Sequence, residues 1–345
     1  VHLVPRALSR TPARRAAAVL LLALAAPVVL AGCAGDDLAK VTFERTTVPP
    51  QPGSGGTGPV PEGEIDAPAL GADKLRTVDT CELLRGEAVS QLGTVGEPLG
   101  TSPETCAVSV TDRGDKELRV ALSLGERLYA GRDQATGGLD GLPLIESRDD
   151  KSCTDKVLTE EDPDAGISLQ VTYDDGEPCG ASRKVLSKIL QRLKSDPPQI
   201  EADDGSLLLV DPCTVLPESQ VRDLLGSNTV TSPYLLHGCT ITGASAGTSG
   251  SVSVAFSFNY PPLESANASK VELSSSVTAI QSYYNPETEV CQVEWEHKEF
   301  SKPSSRDGEV VKVDYSSYTG DGKATDACKK AVRLAKAVVR ELPGA

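Results

Sequence analysis

The chain has 345 residues, 39% hydrophobic but only 4% aromatic, and a formal net charge of −15. Its length allows more than one domain, and its acidity argues against binding nucleic acid or an anionic bilayer through charge. Nine cysteines and three histidines, with no C-x2-C spacing, exclude a zinc module, so neither a metal nor a cofactor is expected.

Taken in chain order, the first fifteen residues carry Arg6, Arg10, Arg14 and Arg15 and no acid, and AAAVLLLALAAPVVL follows. This is an n-region and an h-region, too short for a comfortable span of roughly 20 apolar residues. The run closes on Leu30-Ala31-Gly32-Cys33, which resembles the bacterial lipobox. That resemblance implies loss of residues 1–32 as a signal peptide, lipidation of Cys33 and tethering to the extracytoplasmic face of the membrane, where two acyl chains suffice for stable anchoring. The mature charge would be −15 − 4 = −19.

Residues 33–70 are expected to be a disordered stem, because VPPQPGSGGTGPVPEGEIDAP has almost nothing to bury. A second break at Ser195-Asp196-Pro197-Pro198 divides the remainder into units at 71–198 and 199–345, each near the usual domain size. Besides Cys33 the cysteines fall four to a unit: Cys81, Cys106, Cys153 and Cys179, then Cys213, Cys239, Cys291 and Cys328. In an exported chain an even number implies disulfides. Four cysteines allow three pairings, and the matched spacing of the first two in each unit favours first with second and third with fourth.

Each unit opens with an apolar stripe at helical spacing, Leu83, Leu84, Val89 and Leu92 or Val215, Leu216, Val221 and Leu224, ending at Gly93 or Gly226. Pro217 suits a first helical turn. Alternating runs follow, ELRVALSL and ISLQVTY, then SVSVAFSF, QVEWEH and VVKVDY, as half-buried antiparallel strands show. RKVLSKILQRL and KKAVRLAKAVVREL read as closing helices. The expected fold is α+β twice over: two tandem disulfide-braced units, each an antiparallel sheet with a short N-terminal helix and a packed C-terminal helix.

Asp211-Pro212-Cys213, the second and third cysteines opening strands, CQVEW, and DACKKAVRLAKAVVREL resemble the DUF3558 family of actinobacterial secreted lipoproteins of uncharacterised function. The likeness covers most of the second unit. The first has Asp79-Thr80-Cys81 in place of Asp-Pro-Cys. The resemblance implies a cell-surface lipoprotein with paired disulfides and carries no catalytic residues with it.

Several motifs invite sharper chemistry. Gly243-Ala244-Ser245-Ala246-Gly247 spells the G-x-S-x-G of a hydrolase elbow, but Thr248-Ser249-Gly250-Ser251 and a strand follow it rather than a helix. A Gly/Ser-rich hairpin loop is the better reading. His237 and His297 could respond to pH near neutrality, but are read as ordinary surface residues, and Trp295 as core. The acids Glu160, Glu161, Asp162 and Asp164, and Asp174, Asp175 and Glu177, lack the calcium-loop offsets, since Tyr173 falls where a glutamate is needed. With so few aromatics to stack sugars, paired glycosidase carboxylates are disfavoured. The expectation is a non-catalytic cell-surface lipoprotein, not an enzyme, that binds an envelope protein or small envelope ligand and no nucleic acid. The alternatives are an extracytoplasmic sensor or accessory subunit of a membrane kinase or transporter and, less favoured, an envelope hydrolase.

Overall fold

A computed structural model of the chain describes residues 57–174, 176–243, 250–287, 289–299, 308–317 and 323–344, all within one compact unit, Val48–Ala345. Three short helices come first: α1 (Ala72–Leu75), α2 (Thr80–Arg85) and α3 (Glu87–Ser90). The strands of the first sheet are β1 (Thr94–Val95), β2 (Leu99–Ser102), β3 (Thr105–Thr111), β4 (Glu117–Arg127), β5 (Gly137–Leu139), β6 (Leu142–Arg148), β7 (Ser152–Glu160) and β8 (Ala165–Tyr173). The helix α4 (Pro178–Ser195) follows, then α5 (Glu218–Leu225). The second sheet is built from β9 (Thr229–Tyr234), β10 (Gly238–Gly243), β11 (Gly250–Asn259), β12 (Ala268–Glu272), β13 (Thr278–Ser282), β14 (Val290–Glu299) and β15 (Gly308–Ser317), and α6 (Ala324–Glu341) closes the chain.

Both sheets are antiparallel throughout. Their strand orders are β1-β3-β4-β8-β7-β6-β5, with β2 also on β3, and β12-β13-β14-β15-β11-β10-β9. Read from its other edge, the second order is the first with β9 in place of β1, β10 of β3, β11 of β4, β15 of β8 and β14 of β7. The fold is therefore α+β on two sheets. Alternation drives this: along β4, Leu118, Val120, Leu122 and Leu124 are buried while Glu117 and Arg119 are exposed, which places one face of the sheet under α4. In the second sheet Val252, Val254, Val293, Trp295, Val311 and Val313 face the same core as Ala331, Leu334, Ala335 and Val338 of α6, a helical stripe at the expected spacing.

The two opening stripes are not single helices. Gly86 separates α2 from α3, a residue whose backbone entropy disfavours a helix interior. Pro217 caps α5 from outside, and a 3-10 turn at Pro212–Thr214 precedes it. Asp79 accepts from the Glu82 amide at 2.8 Å and Asp211 from the Cys213 amide at 2.9 Å, so the aspartate two residues before each opening cysteine is an N-cap.

The stem expected at 33–70 ends earlier than composition suggests. Residues 33–56 lie outside the described residues, but 57–70 are packed on the first sheet. Gly58 exchanges two backbone hydrogen bonds with Gly138 of β5, at 2.9 and 3.0 Å, and the Pro61 carbonyl accepts from Arg132 Nη1 at 2.7 Å. Ile65 and Ala67 pack against the first core, and Leu70 is part of it. The prolines cost nothing here, because a segment covering a sheet edge need donate only some of its amides. A side chain on Gly138 would meet the Pro59 carbonyl at 2.4 Å, so this close approach requires glycine.

The second break is likewise fastened. The Asp79 amide donates to the Pro198 carbonyl at 2.9 Å and the Ile200 amide to the Thr77 carbonyl at 2.6 Å, so an isolated antiparallel bridge between Val78 and Gln199 fastens the inter-sheet connection.

Candidate functional site

Four disulfides join Cys81 to Cys106, Cys153 to Cys179, Cys213 to Cys239 and Cys291 to Cys328. Each links a helical segment to a strand: α2 to β3, α4 to β7, the 212–214 turn to β10, and α6 to β14. The bridges thus occupy matching positions in the two strand orders. A closed loop of 26 residues is worth about 3.5 kcal/mol on the chain-entropy account. Cys33 lies outside the described residues.

The remaining motifs disperse. Gly243 ends β10, and Ser245 with the rest of that motif lies outside the described residues. Trp295 is buried in the second core, as expected of it. His297 lies on β14 with Nε2 3.1 Å from the Gly205 carbonyl. Glu161 forms a two-pronged ion pair with Arg132 at 2.9 and 3.0 Å, and that guanidinium holds its carboxyl below the usual range. Arg148 pairs in the same way with Glu177, and Asp174 with Lys151, while Asp175 lies outside the described residues. Among the described residues one set of atoms has metal-like proximity, Glu146 with Cys153 and Cys179, but both sulfurs are spent in a disulfide and cannot ligate as thiolates.

The reading of His237 as a surface residue is overturned. Its side chain is buried between the sheets, Nδ1 lies 3.1 Å from Glu104 Oε2 and Nε2 3.1 Å from the Leu208 carbonyl. A carbonyl only accepts, so Nε2 donates in the contact with Leu208. Glu104 and His237 occupy equivalent places, each immediately before β3 or β10 and two residues before that strand's cysteine. Their backbones repeat the equivalence: the Leu124 amide donates to Glu104 O at 3.0 Å and the Phe256 amide to His237 O at 2.8 Å. The joint therefore pairs like with like, as an isologous contact does.

Leu236 deepens it. This residue of the β9–β10 turn is 2% exposed and belongs to the first core, not the second. It fits because Gly125 of β4, at φ +63°, has no Cβ; one added there would stand 2.3 Å from Leu236 Cδ2. Arg76 donates to the Leu236 carbonyl at 3.2 Å and approaches Asp211 Oδ2 at 3.3 Å. The two sheets are locked through one hairpin tip.

Away from the joint, α2 and α3 face the C-terminal half of α4 across a groove of about 390 Å³. Leu83, Ala88 and Ile189 provide its apolar surface, with Glu82 and Glu87 on one wall and Lys188 and Arg192 on the other. Such a concave, part-apolar site with opposed charges can hold an amphipathic segment or a small zwitterionic molecule.

No family model matches the chain, and no curated protein is similar to it. Among solved structures it has slight likeness to DynU16, a protein of the dynemicin biosynthetic locus, with 13% identity, 80% of this chain and 94% of that one covered, and a TM-score of 0.16. A second is MucB in complex with MucA(peri), with 9% identity, 66% and 85% covered, and a TM-score of 0.13. Likenesses of that size bear on neither fold nor function.

Proposed function

We propose that the chain is a lipid-anchored, extracytoplasmic binding protein without catalytic activity, whose ligand or partner lies in the groove between α2–α3 and α4. The groove is the observation that carries this reading: it combines apolar floor and charges of both signs on elements that the Cys81–Cys106 and Cys153–Cys179 bridges hold rigidly. Four disulfides agree with an oxidising compartment. Both histidines of the folded body have a ring nitrogen against a backbone carbonyl, which fits structural roles better than a proton relay. In this reading the body is a duplicated module of the DUF3558 kind; the shared strand order, the equivalent bridges and the Glu104–His237 pairing support that origin.

The test is a photo-crosslinking residue placed at Gln191, exposed beside the groove, with Lys336 on the exposed face of α6 as control. In intact cells the first position should yield a reproducible adduct and the second none. A membrane kinase or transporter in that adduct would identify the protein as a sensor or accessory subunit. No adduct from either position, or the same adducts from both, overturns the groove as the binding site.

A further inference from the structure

Asp155 lies on β7 between Cys153 and Val157, on the face beneath α4, and is fully buried. Neither of its carboxyl oxygens meets a hydrogen-bond partner, a costly state for a charged group and a tolerable one for a neutral acid. The Ser182 hydroxyl of α4 is committed to the Leu169 carbonyl at 3.3 Å. Directly opposite in register on β6 stands Glu146, which is ion-paired to Arg183 of α4, and Arg183 Nε is itself buried without a partner. The other neighbours bring no charge to the pair: β8 presents Leu169 opposite Asp155, Arg148 is taken by Glu177, and Lys156 turns to the other face and pairs with Glu126. Burial above all pushes the Asp155 carboxyl up to about 7; the nearby Ser182 hydroxyl is the largest opposing influence, the facing Glu146 adds to the rise and Arg183 draws it down.

The second sheet shows that the frame does not require this arrangement. Two residues past the equivalent cysteine of β14 stands Val293, its partner on β13 is Gln281, and the third and fourth residues past Cys328 are Ala331 and Val332. Where one half of the molecule is apolar or uncharged, the other places two acids and a guanidinium.

We propose that Glu146, Asp155 and Arg183 form a proton-dependent clamp: with a proton on Asp155 the N-terminal half of α4 is held on β6 and β7, and loss of that proton to solvent loosens it. Two adjacent carboxylates then share one guanidinium, and one of them, Asp155, is cut off from water. The native carboxyl binds its proton more tightly than the unfolded one, whose pKa is about 3.9. The stability it contributes is therefore complete below about pH 4 and is lost as the pH rises to about 7, by up to tenfold in the folded-to-unfolded ratio per pH unit.

The experiment compares the full chain with Asp155→Asn in denaturant titrations from pH 4.5 to 8.5. The stability ratio of parent to variant should fall more than tenfold up to about pH 7.5 and then level; parallel profiles overturn the proposal. Should the variant fail to fold, two measurements on the parent decide. Infrared spectroscopy with carboxyl-labelled aspartate should show a buried protonated carboxyl at pH 6 that is gone at 8.5. Amide hydrogen exchange, corrected for its intrinsic pH dependence, should quicken in residues 180–187 of α4 across that range and not in α6. An Asp155 already ionised at pH 6, or α4 and α6 exchanging alike at every pH, overturns it.

Discussion

Replacing Leu236 with alanine should unlock the two halves of the body while leaving the hairpin that carries it intact. The lost transfer free energy of the removed carbon atoms is about 2 kcal/mol, and a cavity adds to it. Collapse is limited because the opposing position on β4 is Gly125, which has no side chain to advance into the space, so the total belongs in the middle of the large-to-small range, about 3 kcal/mol. The loss falls on the first core, since that is where Leu236 packs. Trp295 is the single tryptophan and is buried in the second core. Its emission therefore follows one half of the molecule, while far-ultraviolet circular dichroism follows both. In urea the two signals should coincide for the parent, as in a two-state transition. In Leu236→Ala they should separate, with an early dichroism phase preceding the tryptophan change. Coincident curves at an unchanged midpoint in the variant would refute the argument that Leu236 locks the sheets.

The buried Glu104–His237 pair should show the same dependence on both partners. His237→Ala leaves a carboxyl buried without its partner and should cost roughly 3 to 5 kcal/mol, whereas the double variant with Glu104→Gln should recover part of that loss in a double-mutant cycle; additive losses would mean the contact is not energetic. At the edge of β5, Gly138→Ala should displace residues 57–61 and speed proteolytic cutting before Leu70, with little change in the urea midpoint. A parent and variant cut at equal rates would show that the strap does not depend on that close approach.

Much of this frame is readable in the chain because its alternation is clear. ELRVALSL, ISLQVTY, SVSVAFSF, QVEWEH and VVKVDY all lie in strands, and the cysteine order reflects which helix start meets which strand. The strand SCTDKVLTE escaped that reading because Asp155 interrupts its inward face, although an acid between Cys153 and Val157 in strict alternation was itself the signal of a buried carboxyl. His237 was not legible: nothing in Leu235-Leu236-His237-Gly238 tells that a hairpin tip enters another sheet, since the receiving feature is an absent side chain at Gly125, 111 residues earlier by numbering (236 − 125). The strap at 57–70 was misread because proline and glycine signal a lack of core-forming residues, not a lack of a sheet edge to cover. The groove brings Glu82 of α2 near Arg192 of α4, residues separated in the chain by every strand of the first sheet, a juxtaposition that only the packed chain reveals.

The compartment remains the claim on which the disulfides, the acidic surface and the binding reading all depend, and the mass of the mature N-terminal peptide isolated from cell membranes tests it most directly. The account predicts a chain beginning at Cys33 with its sulfur bearing a diacylglycerol, released from the membrane when Cys33 is replaced by serine. A mature chain that retains residues before Cys33, or an unmodified Cys33 thiol in protein recovered from the cytoplasm, would contradict it.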